Sequence, residues 1–205
     1  MKSKTRIFTC GILVLIIMVG SIVVSNNKGK SIQTNSNLSL SNIKLEWGIK
    51  RANNHEQPDL GSRNRELIEK YNGMAMGNKD SKKLYLTFDL GYEAGYTSSI
   101  LDTLKQNNVP AAFFITAHYV NTASDLVQRM IDDGHIIGNH TVNHKSMPDL
   151  CEAELEKELM NLHTAIYEKF KYEMKYMRPP KGEYSERSLN TTVKLGYIPV
   201  MWSIS

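Results

Sequence analysis

The segment from residue 84 to residue 116, LYLTFDLGYEAGYTSSILDTLKQNNVPAAFFIT, contains two short apolar runs separated by a longer amphipathic one. Residues 84–88 and 111–116 have the length and composition of buried strands. Residues 97–107 predict a helix, because their apolar side chains recur at helical spacing: Ile100, Leu101 and Leu104. A strand, a helix and a second strand in this order favour a parallel pair, and hence an α/β fold.

The same alternation continues to the end of the chain. Further strands are predicted at residues 135–138, 175–178 and 198–204, and further helices at 124–133, 152–170 and 186–194. Five strands that alternate with four helices predict a parallel sheet. The upstream part, residues 43–76, has a weaker pattern with Trp47 and a helix candidate at 65–71, and we expect it to pack against this core.

The charge of the chain is concentrated at its N-terminus. The 205 residues carry a formal net charge of +4, from 25 basic and 21 acidic residues. Three of the basic residues, Lys2, Lys4 and Arg6, precede every acidic one, and the other 22 nearly balance the 21 acidic residues. The rest of the chain is therefore almost neutral, which argues against a nucleic-acid partner.

Residues 7–24 contain no charged side chain and follow the three basic residues directly. A basic stretch before an apolar one is typical of an export signal, and 18 residues is also close to the minimum for a membrane span. We expect residues 1–25 to be a signal peptide or membrane anchor, 26–42 a flexible tether rich in Ser and Asn, and 43–205 the folded domain. The protein is then exported, either anchored in the membrane or secreted to the cell wall. Whether the leader is cleaved stays open.

Polar side chains follow three of the predicted strands. Asp89 closes the first, His140 and His144 follow the third, and Arg178 closes the fourth. The carboxyl ends of parallel strands lie at the same end of the sheet, where active sites of such folds are built. These side chains are therefore expected to converge.

Each of these residues allows a functional and an ordinary interpretation. Histidines four apart can share a divalent ion, or can be an unrelated surface pair. Asp89 can be a turn residue before Leu90-Gly91, a general base or a metal ligand. Arg178 can be a surface cation, or can orient a carboxylate such as that of Asp89.

Three short motifs resemble those of the polysaccharide deacetylase family, the NodB-homology domain. They are Thr87-Phe-Asp89, His140-Thr-Val-Asn-His144 and Arg178-Pro-Pro-Lys-Gly182, in the family's order. Three further stretches resemble the delta-lactam-forming N-acetylmuramic acid deacetylases of spore-forming bacteria: Trp47-Gly-Ile-Lys50, Asn54-His-Glu-Gln-Pro58 and Gly91-Tyr-Glu-Ala-Gly-Tyr-Thr97.

The resemblance implies a distorted (β/α) barrel that hydrolyses N-acetyl groups of a cell-wall glycan, with peptidoglycan N-acetylmuramic acid as the expected substrate. It implies a divalent metal, usually zinc in this family, held by His140 and His144. Asp89 would be the catalytic base and Arg178 the residue that orients it. Substrate binding is expected of Pro179, Gly182 and Tyr184. The oligomeric state is left open.

The sequence departs from the family pattern in two places. Leu90 stands where the family usually has a second carboxylate that binds the metal. The last residues, Met201-Trp-Ser-Ile-Ser205, resemble only the start of the fourth motif, and the family's Leu-x-His motif with its general acid has no counterpart. We therefore expect a barrel truncated at its C-terminus, in which the strand at 198–204 lacks a neighbour on one side. The alternatives are an inactive remnant or a non-catalytic protein that binds wall glycan.

Overall fold

The structure, a computed structural model, describes residues 39–205. The expected leader, residues 1–25, and residues 26–38 of the expected tether lie outside these residues. Within the part of the chain that the structure describes, no helix has both the length and the apolar character needed to cross a membrane.

Thirteen regular elements make up the described part of the chain, apart from two single 3₁₀ turns. The strands are β1 (Leu45–Glu46), β2 (Leu86–Leu90), β3 (Ala111–Ile115), β4 (Ile136–Asn139), β5 (Tyr176–Met177), β6 (Glu183–Tyr184) and β7 (Ile198–Pro199). The helices are α1 (Ser62–Lys70), α2 (Thr97–Gln106), α3 (Ala117–Thr122), α4 (Ser124–Asp132), α5 (Glu152–Phe170) and α6 (Glu186–Lys194).

Five strands form one parallel sheet in the order β2-β3-β4-β5-β7, which confirms the predicted α/β class. Helices α5 and α6 have the predicted bounds, whereas α3 was not predicted. The first strand lies two residues later than expected. Its register explains the shift, since Leu86 is opposite Ala111, the first residue of β3, while Leu84 and Tyr85 extend beyond the partner strand and are exposed.

The main hydrophobic core lies between the sheet and its helices. Strand β3 is apolar along its whole length because parallel sheets are covered on both faces. On α5 the residues at helical spacing are buried against the sheet: Leu155, Leu159, Leu162 and Ile166. Burial of a side chain of this size contributes roughly 1.5–3 kcal/mol, so the stripe fixes α5 across the sheet.

Strand β7 has a neighbour that the sequence did not reveal. Met74 forms a parallel bridge with Val200 on the side of β7 away from β5. The Met74 N–H donates to the Pro199 carbonyl at 2.8 Å, and the Met201 N–H donates to the Met74 carbonyl at 2.7 Å. The expectation that the strand at 198–204 is unpaired on one side is therefore wrong at this position. Within residues 39–205, the sheet's exposed edge is β2.

The upstream residues pack on the domain as expected, around a second core. Its buried members are Trp47, Leu60, Ile68, Tyr71, Tyr184, Leu189 and Met201. Strand β1 pairs with β6, and the Trp47 N–H donates to the Gly182 carbonyl at 2.8 Å. The indole Nε1 of Trp47 donates to the Trp202 carbonyl, also at 2.8 Å. This second core thus supports the loop that follows β5.

Candidate active site

Arg178 lies directly after β5, and its guanidinium donates four hydrogen bonds. Its Nη1 donates to Asp89 Oδ1 at 2.7 Å and its Nη2 to Thr87 Oγ1 at 2.9 Å. Its Nε donates to the Val200 carbonyl at 3.1 Å, and Nη2 also donates to the Met201 carbonyl at 3.3 Å. The residue is only 3% exposed. The predicted pairing of Arg178 with Asp89 is thus what the structure shows.

Aromatic rings enclose the Arg178 guanidinium. Its central carbon lies 4.2 Å from the centroid of the Phe114 ring and 5.6 Å from that of Trp202, within the range of cation–π attraction. Gly138 on β4 makes room for the Phe114 ring, since a Cβ there would overlap it. Burial lowers the pKa of Arg178 and the Asp89 carboxylate raises it, but an arginine remains charged in either case.

The two histidines meet at their Nε2 atoms, 3.2 Å apart. His140 Nδ1 lies 2.9 Å from the Arg178 carbonyl, which can only accept, so this nitrogen carries the proton and Nε2 is left with a free lone pair. His140 Nε2 is also 3.8 Å from Asp89 Oδ2. Burial lowers the pKa of both histidines, and the charge of Lys181 lowers that of His144 further. Both imidazoles are therefore suited to be neutral metal ligands.

The loop that carries the histidines has an unusual backbone. Thr141 and His144 both have positive φ angles, of 67° and 54°, a conformation that is rare for β-branched residues in particular. Two local hydrogen bonds support it: Asn139 Oδ1 accepts from the Thr141 N–H at 2.9 Å, and Thr141 Oγ1 accepts from the His144 N–H at 3.0 Å. Such strain persists only where surrounding contacts fix it, and it is typical of functional sites.

The histidine pair fits a divalent metal. Two nitrogen ligands about 2.0–2.1 Å from one tetrahedral ion are roughly 3.3 Å apart, close to the separation of the two Nε2 atoms. Residues 39–205 contain no group of three His, Cys, Asp or Glu side chains placed to hold an ion together. His140 and His144 would supply two nitrogen ligands, with oxygen donors completing the site. Leu90 supplies none.

The three residues expected to bind substrate are all buried. Tyr184 has no exposed surface, lies in the second core, and donates its hydroxyl proton to Asn64 Oδ1 at 2.6 Å. Substrate contact by its side chain does not agree with this placement, and Tyr184 instead supports the loop from within. Gly182 has a positive φ and is covered by Trp202 and Trp47. Pro179 is also buried. For these two, substrate binding stays a prediction.

Other side chains around the site had no assigned role in the sequence. Thr87 and Trp202 contact Arg178, and Glu158 on α5 reaches the histidine loop. The sequence did contain a sign that Glu158 is unusual, since it is a charged residue inside the apolar stripe of α5. In the structure it is 6% exposed. Of the other histidines, His135 is buried and accepts the Ala111 N–H, and His163 is bonded to the Tyr197 hydroxyl, in agreement with structural roles.

The chain is similar in sequence to two curated relatives. The chain is 42% identical over 165 residues to the peptidoglycan-N-acetylmuramic acid deacetylase PdaA of Bacillus subtilis, covering 80% of this chain and 63% of the relative. A 30.6 kDa protein of Geobacillus stearothermophilus is 44% identical over 167 residues, 81% of this chain and 63% of the relative. The chain thus spans less than two thirds of the length of these curated relatives.

Solved structures of similar proteins have the same fold as this chain. The structure of B. subtilis PdaA, described as a family 4 carbohydrate esterase, superimposes with a TM-score of 0.78 over 80% of this chain and 71% of that one. A family 4 carbohydrate esterase from Bacillus anthracis, 41% identical, gives 0.74 over 81% and 76%. Residues 76–200 match the family model for polysaccharide deacetylases. With its α/β fold and its three motifs at one end of the sheet, the chain belongs to the polysaccharide deacetylase family.

Proposed function

We propose that this protein is a metal-dependent hydrolase that removes N-acetyl groups from a cell-wall glycan, with peptidoglycan N-acetylmuramic acid as substrate. One observation carries the proposal: a carboxylate fixed by a buried arginine faces two histidines at the carboxyl ends of the strands. The substrate is supported by the 42% identity to a protein named for acting on N-acetylmuramic acid.

His140 and His144 would hold the metal, for which zinc is the proposed identity because imidazole nitrogens are among its usual ligands. When bound, the ion supplies Lewis acidity that polarises the carbonyl of an N-acetyl group. The Arg178 carbonyl acts as an outer partner, since it accepts from His140 Nδ1 and so fixes the ring and its tautomer.

Asp89 is the proposed general base. Its Oδ1 is engaged by Arg178, while Oδ2 points toward His140 and remains free to accept a proton. In the proposed reaction Asp89 takes a proton from water as the water oxygen bonds to the acetyl carbon. The C–N bond then breaks, the proton held by Asp89 passes to the amine nitrogen, and acetate and the free amino sugar are released.

We also propose that residues 1–25 direct the protein out of the cytoplasm, where the glycan lies. The support is the basic stretch followed by the uncharged residues 7–24.

The test of the function is acetate release by the full chain from glycan strands that contain N-acetylmuramic acid without stem peptides. We expect release in the presence of zinc, loss after treatment with a chelator, and recovery when zinc is returned. Chitin oligomers under the same conditions are the control for substrate. Glycan binding without acetate release at any metal concentration would contradict the proposed hydrolysis and favour a wall-binding role.

A further inference from the structure

Glu158 is a buried carboxylate that binds the centre of the histidine loop. Its Oε2 accepts the Asn143 backbone N–H at 2.7 Å, and its Oε1 accepts from the Asn143 side-chain amide, also at 2.7 Å. The Glu158 backbone carbonyl accepts the Val142 N–H at 3.1 Å. One residue of α5 therefore makes three hydrogen bonds to the two residues between Thr141 and His144.

The position of Asn143 makes these bonds important for His144. Asn143 immediately precedes His144, whose positive φ angle must be maintained for its Nε2 to meet that of His140. Thr141 Oγ1 holds the His144 N–H from within the loop, but Glu158 is the contact that ties the loop to a long helix. Because α5 is fixed by its buried apolar stripe, Glu158 provides a rigid support.

An ion pair does not explain why the Glu158 carboxylate is buried. Its nearest cation, Lys145 Nζ, is 3.9 Å away and largely exposed, which makes for a weak ion pair. Burying a carboxylate is costly unless hydrogen bonds compensate. Here the compensating hydrogen bonds are donated by Asn143 of the histidine loop. The burial of Glu158 is thus explained by the loop that it binds.

We propose that Glu158 is a positioning residue of the active site, which acts through Asn143 to hold His144 in the orientation needed to share a metal ion with His140. The inference rests on the proposed function, since it takes these histidines as metal ligands. Outer partners of metal ligands commonly affect metal affinity by 10–100-fold, and the same magnitude is expected here.

The first test compares Glu158→Ala with Glu156→Ala in the full chain. Glu156 is an exposed carboxylate on the same helix and makes no side-chain hydrogen bond or ion pair in the described structure. We expect Glu158→Ala to raise the Kd for zinc, measured by calorimetric titration, by about 10–100-fold. Glu156→Ala is expected to leave the Kd unchanged. A folded Glu158→Ala variant with the parent's zinc affinity would overturn the proposal.

The second test works without metal and so separates this inference from the proposed function. In the metal-free parent, ring protons of His140 and His144 are close enough to give a nuclear Overhauser effect. We expect this signal to be lost in Glu158→Ala and kept in Glu156→Ala. If the parent does not bind zinc, the proposed function fails, and this signal alone decides the role of Glu158: its retention in Glu158→Ala would contradict the role.

Two further variants cover the case in which Glu158→Ala does not fold. Glu158→Gln can still accept the Asn143 N–H and, if the Asn143 amide turns over, donate to its oxygen, so partial rescue of zinc affinity is expected. Asn143→Ala removes the side-chain donor while leaving α5 intact, and is expected to weaken zinc binding. Parent-like affinity in both variants would overturn the proposal.

Discussion

Replacing Asp89 with Asn is expected to lower the rate of acetate release by roughly 10²–10⁴-fold, the usual contribution of a general base. Asparagine has the same shape and can still accept a hydrogen bond from Arg178 Nη1 through its oxygen. Its amide group, however, cannot take a proton from water. The variant should therefore fold like the parent and fail at the chemical step.

The measurement is kcat for acetate release at saturating zinc, together with the thermal midpoint. Asp80→Asn is the matched control, because Asp80 is exposed in a turn and its carboxylate makes no ion pair within residues 39–205. The control should keep the parent's rate. A rate in Asp89→Asn above about a tenth of the parent's would contradict the role of Asp89 as the base.

Replacing Arg178 with Ala is expected to destabilise the domain by about 3 kcal/mol. The change leaves the Val200 and Met201 carbonyls without their buried donor. It removes the cation that lies over the Phe114 ring. It also frees Asp89 from its fixed orientation, so acetate release should fall as well. Asp89 itself is partly exposed and can be hydrated again, which keeps the loss from being larger.

Urea unfolding of the parent, Arg178→Ala and Arg178→Lys measures this effect. Lysine keeps the charge but lacks the planar fork that reaches Asp89, Thr87 and two carbonyls, so an intermediate stability is expected. Arg65→Ala on the exposed side of α1 is the control and should change stability by no more than about 0.5 kcal/mol. An Arg178→Ala variant as stable as this control would show that the guanidinium is not a structural centre of the site.

The parts of the fold that could be predicted are those in which local pattern and burial coincide. Helix α5 has the predicted bounds because its apolar stripe is long, Glu154 accepts the Cys151 N–H at its start, and Lys171 ends it in a left-handed conformation. Strand β2 was misplaced because its bounds depend on β3 rather than on its own apolar run. The pairing of Met74 with Val200 is a single bridge between distant residues and leaves no periodic signal.

In the site, too, the features that could be predicted depend on local pattern, and those that could not depend on contacts between distant residues. The convergence of Asp89, His140, His144 and Arg178 could be predicted because they lie at or just beyond the carboxyl ends of parallel strands, which come together at one end of the sheet. Tyr184 was expected to bind substrate but lies in the second core, since the strand pairing of β1 with β6 buries it. The function of Glu158 could not be derived, because its partner Asn143 lies 15 residues away on a loop whose conformation the sequence does not specify.

The most direct test of the central claim, that the histidine pair and Asp89 form a metal-dependent hydrolytic site, is the location of zinc in crystals of the protein. Anomalous scattering measured at the zinc edge should give one strong peak about 2.0–2.1 Å from both His140 Nε2 and His144 Nε2, on the side of Asp89. In crystals of His140→Ala the peak should be absent. Zinc bound elsewhere, or no peak between the two histidines at saturating zinc, would contradict the account.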